Sequence, residues 1–380
     1  MKNYDNPYIT NFKAEVKFSG EDERGKYVII SPTFFFPEGG GQKSDTGKIG
    51  DAICTDVLDI AGEIRHYVNS DLVLNTELCC EIDKDKRFRK MRHHSGEHII
   101  SGIVTKKYGY TNVGFHLSDT DCTCDFSGFL TSDQLKEVET LANSIVCQNV
   151  DVNVIYPSAN ELSEMSYRSK LDIQDNVRIV EIEGYDKCAC CAPHVLKTGE
   201  IGLIKITSSM SWKGGVRIHI KCGIDALADY QEKSNEIAGI SALLCVPQNQ
   251  VLSGVKKLLE DCYTKDKEIA ELKRKKIMSV ADSLKQTNGN IVIFEDEADA
   301  EGLKTLVNAG VKLCTGICIA LSYDKEQYRF SMGSKAIKLK EFLKEMMKSL
   351  KMRGGGSDEF ISGIIASSQN EIIEFFDNQL

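Results

Sequence analysis

Two histidines four residues apart, His94 and His98 in Arg92-His93-His94-Ser95-Gly96-Glu97-His98, are answered much later by Cys190-Cys191-Ala192-Pro193-His194. These two segments constrain the chain more than any other feature. On a helix, positions i and i+4 share a face, so both imidazoles meet one ion, and a Cys/His pair from a distant loop completes a tetrahedral set of zinc ligands. Any fold of this chain must carry a helix over 94–98 and bring a loop at 190–194 against it. The chain has only seven His, and His93, His94 and His98 are three of them. Chance spacing on a surface helix is therefore a poor explanation. Spacing alone does not choose among Cys188, Cys190 and Cys191, nor between His93 and His94.

Length and composition limit what surrounds such a centre. With 380 residues, 42% hydrophobic and 27% charged, the chain has enough sequence for two or three cores. No apolar run approaches the roughly 20 residues that span a bilayer, and Met1-Lys2-Asn3-Tyr4-Asp5 lacks the pattern of a signal peptide. A cytoplasmic protein without a membrane partner is expected. Fourteen Cys scattered through apolar segments such as Leu78-Cys79-Cys80 read as reduced thiols with a few metal ligands, not as a disulfide framework. A net charge of −9 argues against non-specific coating of nucleic acid. Local basic patches remain: Lys84 to Arg92 holds six basic residues directly before the histidines, Lys273-Arg274-Lys275-Lys276 is a second cluster, and 335–353 is rich in Lys.

The predicted fold class is α+β and multidomain. Apolar and polar residues alternate over 13–30 and in short runs to Ile82, which predicts a small antiparallel β-barrel domain over 1–88. Helical periodicity follows from about Lys86 to Tyr108 and from Ser132 to Cys147, with strands at Val177–Val180 and Ile201–Ile206. Residues 89–223 thus form an α+β domain carrying the zinc. Residues 224–286 are helical, broken once near Pro247, with Val255, Leu258, Leu259, Cys262, Ile269 and Leu272 at spacings that suit a hairpin or coiled coil. Self-association and intramolecular packing are equal alternatives for that stripe. Residues 287–380 begin with a strand, Ile291–Phe294, and alternate helix and strand in a C-terminal α/β domain. Within it, Gly354, Gly355 and Gly356 form a loop whose amides can approach a phosphate, although such a run is more often a tight turn.

One further constellation lies in the β domain: Thr33-Phe34-Phe35-Phe36-Pro37-Glu38-Gly39-Gly40-Gly41-Gln42. Three glycines let the chain pass close to another backbone or a ligand, and Gln42 after them holds its amide in a fixed direction. Taken alone, the segment also fits a hairpin turn with an incidental Gln.

Together these segments resemble the alanyl-tRNA editing proteins called AlaX and the editing half of alanyl-tRNA synthetase. Thr33 to Gln42, followed by Asp45-Thr46-Gly47, resembles the family's T-x-F-Y-P-E-G-G-G-Q-x-x-D-x-G stretch. Arg89 to His98 resembles its basic helix ending in H-x-x-x-H, and Cys190 to His194 its C-x-x-x-H. Thr198-Gly199-Glu200-Ile201-Gly202 and Gly215-Val216-Arg217-Ile218 match the strands behind it, and the final third resembles the DHH-associated domain of the long form of AlaX. Two departures stand out. Cys191-Ala192-Pro193 replaces the family's usual glycines, and the Cys190-Cys191 doublet leaves the thiolate open. Nothing resembles the aminoacylation core of a class II synthetase, and no D-H-H motif precedes the last part.

The resemblance implies a threonyl/alanyl-tRNA synthetase-type editing domain that hydrolyses serine, and also glycine, wrongly attached to tRNA(Ala). It implies zinc held by His94, His98, Cys190 and His194, with His94 and Cys190 at the catalytic centre and Thr33 and Gln42 recognising serine. Hydrogen-bonding groups built for one hydroxyl reject an analogue lacking it by about 10⁴-fold. His116 is a candidate pocket residue. Lys86, Arg87, Arg89, Lys90 and Arg92, with Gly354, Gly355 and Gly356, are candidate RNA contacts, and the helical segment is a candidate homodimer interface. The alternatives are a non-catalytic, zinc-stapled tRNA-binding or dimerisation protein, a threonyl-tRNA editing hydrolase and a general zinc esterase. The second of these should lack the Thr33 to Gln42 loop.

Overall fold

Six antiparallel strands follow from the alternating pattern: β1 (Asn11–Asp22), β2 (Gly25–Ser31), β3 (Gly47–Ile49), β4 (Ala52–Ile60), β5 (Glu63–Val68) and β6 (Glu77–Ile82). They close into a barrel in the order β1-β2-β5-β4-β3-β6. Inward positions carry Val16, Val28, Ile30, Ile49, Cys54, Val57 and Ile82, all buried together. Closure leaves no exposed strand edge. Gly47 permits it at one point, since a Cβ there would lie 2.0 Å from the Glu81 carbonyl oxygen. The computed structural model describes residues 5–169 and 177–378, which group into two compact units, Met1–Ile237 and Ala238–Leu380. The start of the chain at 1–4, read above for a signal peptide, lies outside the described residues.

The barrel hands over to α1 (Lys84–Tyr108), capped by Asp83, whose carboxylate accepts from the Lys86 amide at 3.1 Å, and closed by Gly109 at φ 72°. From Met91 and His93 to Val104 the helix is buried on every side. That explains why its sequence shows no clean apolar stripe: a helix enclosed all round has no water face to mark with polar residues. Around it lie β7 (Asn112–Leu117), β8 (Cys122–Phe126), α2 (Ser132–Gln148), β9 (Val152–Ile155), α3 (Ala159–Glu164), β10 (Ile179–Ile182), β11 (Asp186–Ala189), β12 (Ile204–Trp212) and β13 (Gly215–Cys222). They make a four-stranded antiparallel sheet, β12-β13-β8-β7, and a three-stranded one, β11-β10-β9. Ile99, Ile103 and Val104 share one core with Cys124, Val138, Ile145, Val180 and Ile218. The strand expected from Ile201 begins at Ile204, because Thr198–Ile201 turns as a short 3₁₀ helix and Gly202 takes φ 81°.

The helical stretch appears as α4 (Ile224–Leu244) and α5 (Val251–Ser283), broken on either side of Pro247. Along α5 only Val251 and Ile277 are buried, while Leu252, Val255, Leu258, Leu259, Ile269 and Leu272 stay exposed. Packing within the second unit therefore leaves that stripe uncovered among the described residues. The second unit continues through β14 (Ile291–Phe294), α6 (Ala300–Gly310), β15 (Cys318–Asp324), β16 (Gln327–Gly333), α7 (Leu339–Ser349), β17 (Met352–Gly356), β18 (Phe360–Ile365) and α8 (Gln369–Asp377). Its sheet runs β14-β15-β16-β18-β17 over a core of Ile319, Leu321, Phe330, Met332, Phe342, Met346 and Ile361.

The expectation of a loop at Gly354, Gly355 and Gly356 is corrected. These residues are the edge strand β17, with Gly354 opposite Gly363. A Cβ at Gly363 would meet the Arg353 carbonyl at 2.1 Å and one at Gly356 the Phe360 carbonyl at 2.2 Å, so glycine serves close strand pairing here. None of the fourteen cysteines is in a disulfide. Among the described residues no helix is long and apolar enough to cross a membrane.

Candidate metal centre

α1 and the loop after β11 converge as the spacing predicts. The ligand atoms of His94, His98, Cys190 and His194 all lie within 4.8 Å of one another. Cys190 Sγ is 3.5 Å from His94 Nε2 and 3.4 Å from His194 Nε2. Zn–N and Zn–S bonds of about 2.1 and 2.3 Å at tetrahedral angles give N···S edges of about 3.6 Å. The two Cys190–histidine edges therefore match those of a tetrahedral metal centre. Burial also suits it, since His94, His98 and His194 are only 2, 1 and 3% exposed. Desolvation, reinforced by the neighbouring His98, His94 and Arg178, pushes the His194 imidazole far below its ordinary value and keeps it neutral, the form that ligates.

The structure resolves the choices that spacing left open. His93 Nδ1 is 2.9 Å from the Arg89 carbonyl, and His93 Nε2 accepts from the Cys222 amide at 3.1 Å, so this ring is a buried strut. Cys190 joins the quartet. Cys188 sits instead with His98 and Asp186, and Cys191 lies beside Gly40, where a Cβ would be 3.6 Å from its Sγ. The 190–194 loop is braced by Arg178, which donates to the carbonyls of Cys190 at 2.8 Å and Ala192 at 3.0 Å and to Asp5 at 2.8 Å.

Two of the three histidines of the quartet have a hydrogen-bond partner at the other nitrogen, and the third has a carboxylate at ion-pair distance. His94 Nδ1 is 2.8 Å from Gln42 Oε1, His194 Nδ1 is 2.9 Å from Ser95 Oγ, and His98 Nδ1 is 3.1 Å from Asp186 Oδ2. The first two contacts fix tautomer and ring direction, whereas His98 Nδ1 lies at ion-pair distance from Asp186 without hydrogen-bond alignment. Gln42 reaches His94 because the glycine loop docks on β7: the Leu117 amide donates to the Gly41 carbonyl at 2.8 Å and the Lys43 amide to the Leu117 carbonyl at 3.0 Å. Gly41, at φ 82°, has room for no side chain, since a Cβ would stand 2.3 Å from the Phe115 carbonyl oxygen. With its oxygen turned to His94, Gln42 keeps a buried Nε2 with no hydrogen-bond partner among the described residues, although the residue is only 1% exposed. An unpaired buried amide donor costs about 1–3 kcal/mol and marks a place for an acceptor.

Other expected site residues fall elsewhere. His116 is exposed, and its strand neighbour Phe115 faces the centre, with its ring centroid 4.6 Å from that of His94. Alternation along β7 sends the two side chains to opposite faces, so His116 is corrected to Phe115 as the residue at the site. Thr33 is engaged with the barrel. Its Oγ1 is 2.8 Å from His66 Nε2 and accepts from the Phe35 amide at 3.2 Å, while His66 Nδ1 faces the Val28 carbonyl at 3.2 Å.

Burial holds the His66 pKa down at about 4 against its ordinary 6.5, outweighing the opposing backbone hydrogen bonds to Val28 and Ile64. Below pH 6.5 the unfolded chain then binds a proton that the fold refuses. His66 should thus remove stability progressively as pH falls from about 6.5 to about 4, by on the order of 3 kcal/mol at most. Denaturant titrations of wild type and His66→Gln across that window are expected to converge at the acid end.

The basic segment before the histidines is only partly free. Arg87 is fully buried, forked onto Asp45 and donating to the carbonyls of Pro7 at 2.9 Å and Phe34 at 2.8 Å. Lys90 is 1% exposed and donates to the Ser44 carbonyl at 2.5 Å. Arg87 and Lys90 are therefore corrected from RNA contacts to internal struts. Lys86, Arg89 and Arg92 line a depression of about 520 Å³. Arg89 is also bonded to Asp225 at 2.6 Å, and Arg92 to the Glu200 carbonyl at 3.0 Å. Asp186 and Arg168 were not anticipated from the sequence; the position of Asp186 four residues before Cys190 was the available signal.

Comparison with known proteins places the chain among alanyl-tRNA-related sequences. Residues 177–219 match the threonyl and alanyl tRNA synthetase second additional domain. The alanine–tRNA ligase of Methanopyrus kandleri is 27% identical over 383 residues, which is 95% of this chain and 42% of that protein. The alanyl-tRNA editing protein AlaX-L of Pyrococcus horikoshii is 23% identical over 390 residues, which is 98% of this chain and 96% of that protein. The chain thus spans about two fifths of the length of the ligases it matches and nearly all of the editing protein. The synthetase-type domain match and the end-to-end correspondence with AlaX-L support an AlaX-type editing protein.

Proposed function

We propose that this chain deacylates tRNA(Ala) mischarged with serine, and also with glycine, by hydrolysing the aminoacyl ester at a zinc centre formed by His94, His98, Cys190 and His194. The observation that carries this reading is the meeting of Gln42 with His94: the glycine loop brings an unpaired amide donor to the metal ligands, where an ester substrate must be read. Bound zinc would supply a fixed positive charge that favours the developing oxyanion and, at any open position, acidifies water. The protein residues do the rest. Gln42 Nε2 donates to the serine hydroxyl, and Thr33, held by His66 and the Phe35 amide, anchors the start of the segment that carries Gln42. Phe115 lies tilted against His94, with ring centroids 4.6 Å apart, and gives that side of the centre an apolar wall. Alanine offers no hydroxyl, so productive binding would leave the Gln42 donor unpaired. Glycine lacks the hydroxyl too, and its hydrolysis rests on the family resemblance alone.

Lys86, Arg89 and Arg92 are suited to the acceptor-end phosphates beside the centre. Gly354 and Gly356 turn their amides outward from the edge strand toward a second part of the tRNA, while the Gly355 amide faces Ser362 of the neighbouring strand. The uncovered α5 stripe suits pairing with a second copy, and action on tRNA implies work in the cytoplasm.

Release of labelled amino acid from Ser-tRNA(Ala) and Ala-tRNA(Ala) by the purified protein tests the proposal. Serine-selective hydrolysis is expected, falling about 10²–10³-fold in Gln42→Ala, the usual cost of one buried donor at a reacting centre. A zinc-loaded protein that binds tRNA but releases neither amino acid would refute the enzymatic reading in favour of a binding module.

A further inference from the structure

The three ligand histidines are not supported alike. His94 and His194 face neutral partners, the Gln42 amide and the Ser95 hydroxyl. His98 Nδ1 lies 3.1 Å from the carboxylate of Asp186, an ion-pair distance not yet aligned as a hydrogen bond. Asp186 is itself gripped by a planar fork, since Arg168 donates Nε to Oδ1 and Nη2 to Oδ2, both at 2.7 Å. We propose that Asp186 and Arg168 are a positioning pair for His98 that sets how tightly the centre retains its metal ion.

A carboxylate on the far nitrogen of a metal-bound imidazole holds the proton there, aims the ligating nitrogen and strengthens its donation. Asp186 can do so only if it stays charged although 6% exposed, and a bidentate guanidinium provides that compensation. The geometry fixes both ends. The Arg168 amide donates to the Lys187 carbonyl at 2.8 Å and the Ala189 amide to the Arg168 carbonyl at 2.8 Å, so the backbone of Arg168 is stitched to β11, the strand that carries Asp186. On the other side, Gly102 lies one turn beyond His98 on the same face of α1. A Cβ there would stand 2.7 Å from the Tyr185 carbonyl oxygen and 3.0 Å from Asp186 Cβ. The glycine lets the His98 face of the helix lie directly against the carboxylate.

This pair rests on the metal reading, so its test measures metal and not deacylation. Zinc affinity of the full chain is obtained by competition with a chromophoric chelator, together with the rise in melting temperature that zinc produces over the metal-free protein. Asp186→Asn, which keeps the shape and removes the charge, is expected to weaken zinc about 10–100-fold. Arg168→Gln should act in the same direction, and the double variant should be no weaker than Asp186→Asn, because both act through one carboxylate. Cobalt loaded in place of zinc should show an altered absorption spectrum in both variants. Unchanged affinity in Asp186→Asn would overturn the proposal. So would an equal loss of melting temperature with and without zinc, which would leave the pair as a brace for β11. A Cys190→Ala control with wild-type affinity would refute the four-ligand centre itself, and the pair with it.

Discussion

Cys190→Ala is expected to release the metal and abolish serine deacylation together. The effect on zinc affinity should exceed the roughly 10–100-fold that follows loss of a partner outside the ligand shell, because on the proposed reading Cys190 would be the one anionic ligand beside three neutral imidazoles. Its position decides the outcome. Cys190 Sγ lies 3.4–3.5 Å from the nitrogens of His94 and His194, whereas Cys191 Sγ lies against the glycine loop and Cys188 belongs with Asp186. Neither neighbour replaces it without moving the Arg178-braced loop. Zinc content after dialysis, read beside the deacylation rate of Cys190→Ala and Cys191→Ala, checks this. Retention of metal in Cys190→Ala with loss in Cys191→Ala would reverse the assignment.

The second large effect is on stability. Breaking a fully buried ion pair by removing one partner costs about 3–5 kcal/mol, because the remaining charge is stranded. Asp45→Ala meets that condition fully: Arg87 and Asp45 have side chains only 0 and 1% exposed, and Asp45 also accepts from the Phe36 amide at 2.7 Å. Their contact ties the loop that follows the Phe-rich segment to the first turns of α1, and that loop presents Gln42 to His94. Asp45→Ala should therefore lower the denaturation midpoint sharply and loosen the site. Arg87→Met combined with Asp45→Leu should recover a good part of the loss, since two apolar residues strand no charge. If Asp45→Ala unfolds at the wild-type denaturant concentration, the pair is not the strut described.

The sequence by itself determined the parts whose information is local. The four-residue spacing of His94 and His98 puts both on one helix face whatever the fold, and Asp83 and Gly109 bound that helix by capping chemistry. Alternation gives the barrel strands, and Pro247 breaks the long helical stretch. Tertiary structure decided every question of partner. Six basic residues at 84–92 look alike in sequence, yet Arg87 is interior because Asp45, more than forty residues earlier, supplies the only kind of group that lets a guanidinium be buried. His116 and Phe115 differ by one position, and only the register of β7 against β8 and the packing over α1 send the phenyl ring to the centre. Three cysteines lie within four residues, and the brace from Arg178 selects Cys190. Asp186 and Arg168 meet at His98 through backbone pairing that no local pattern announces. Spacing fixes which face a side chain leaves from, while the cost of burying charge without a partner fixes where it ends.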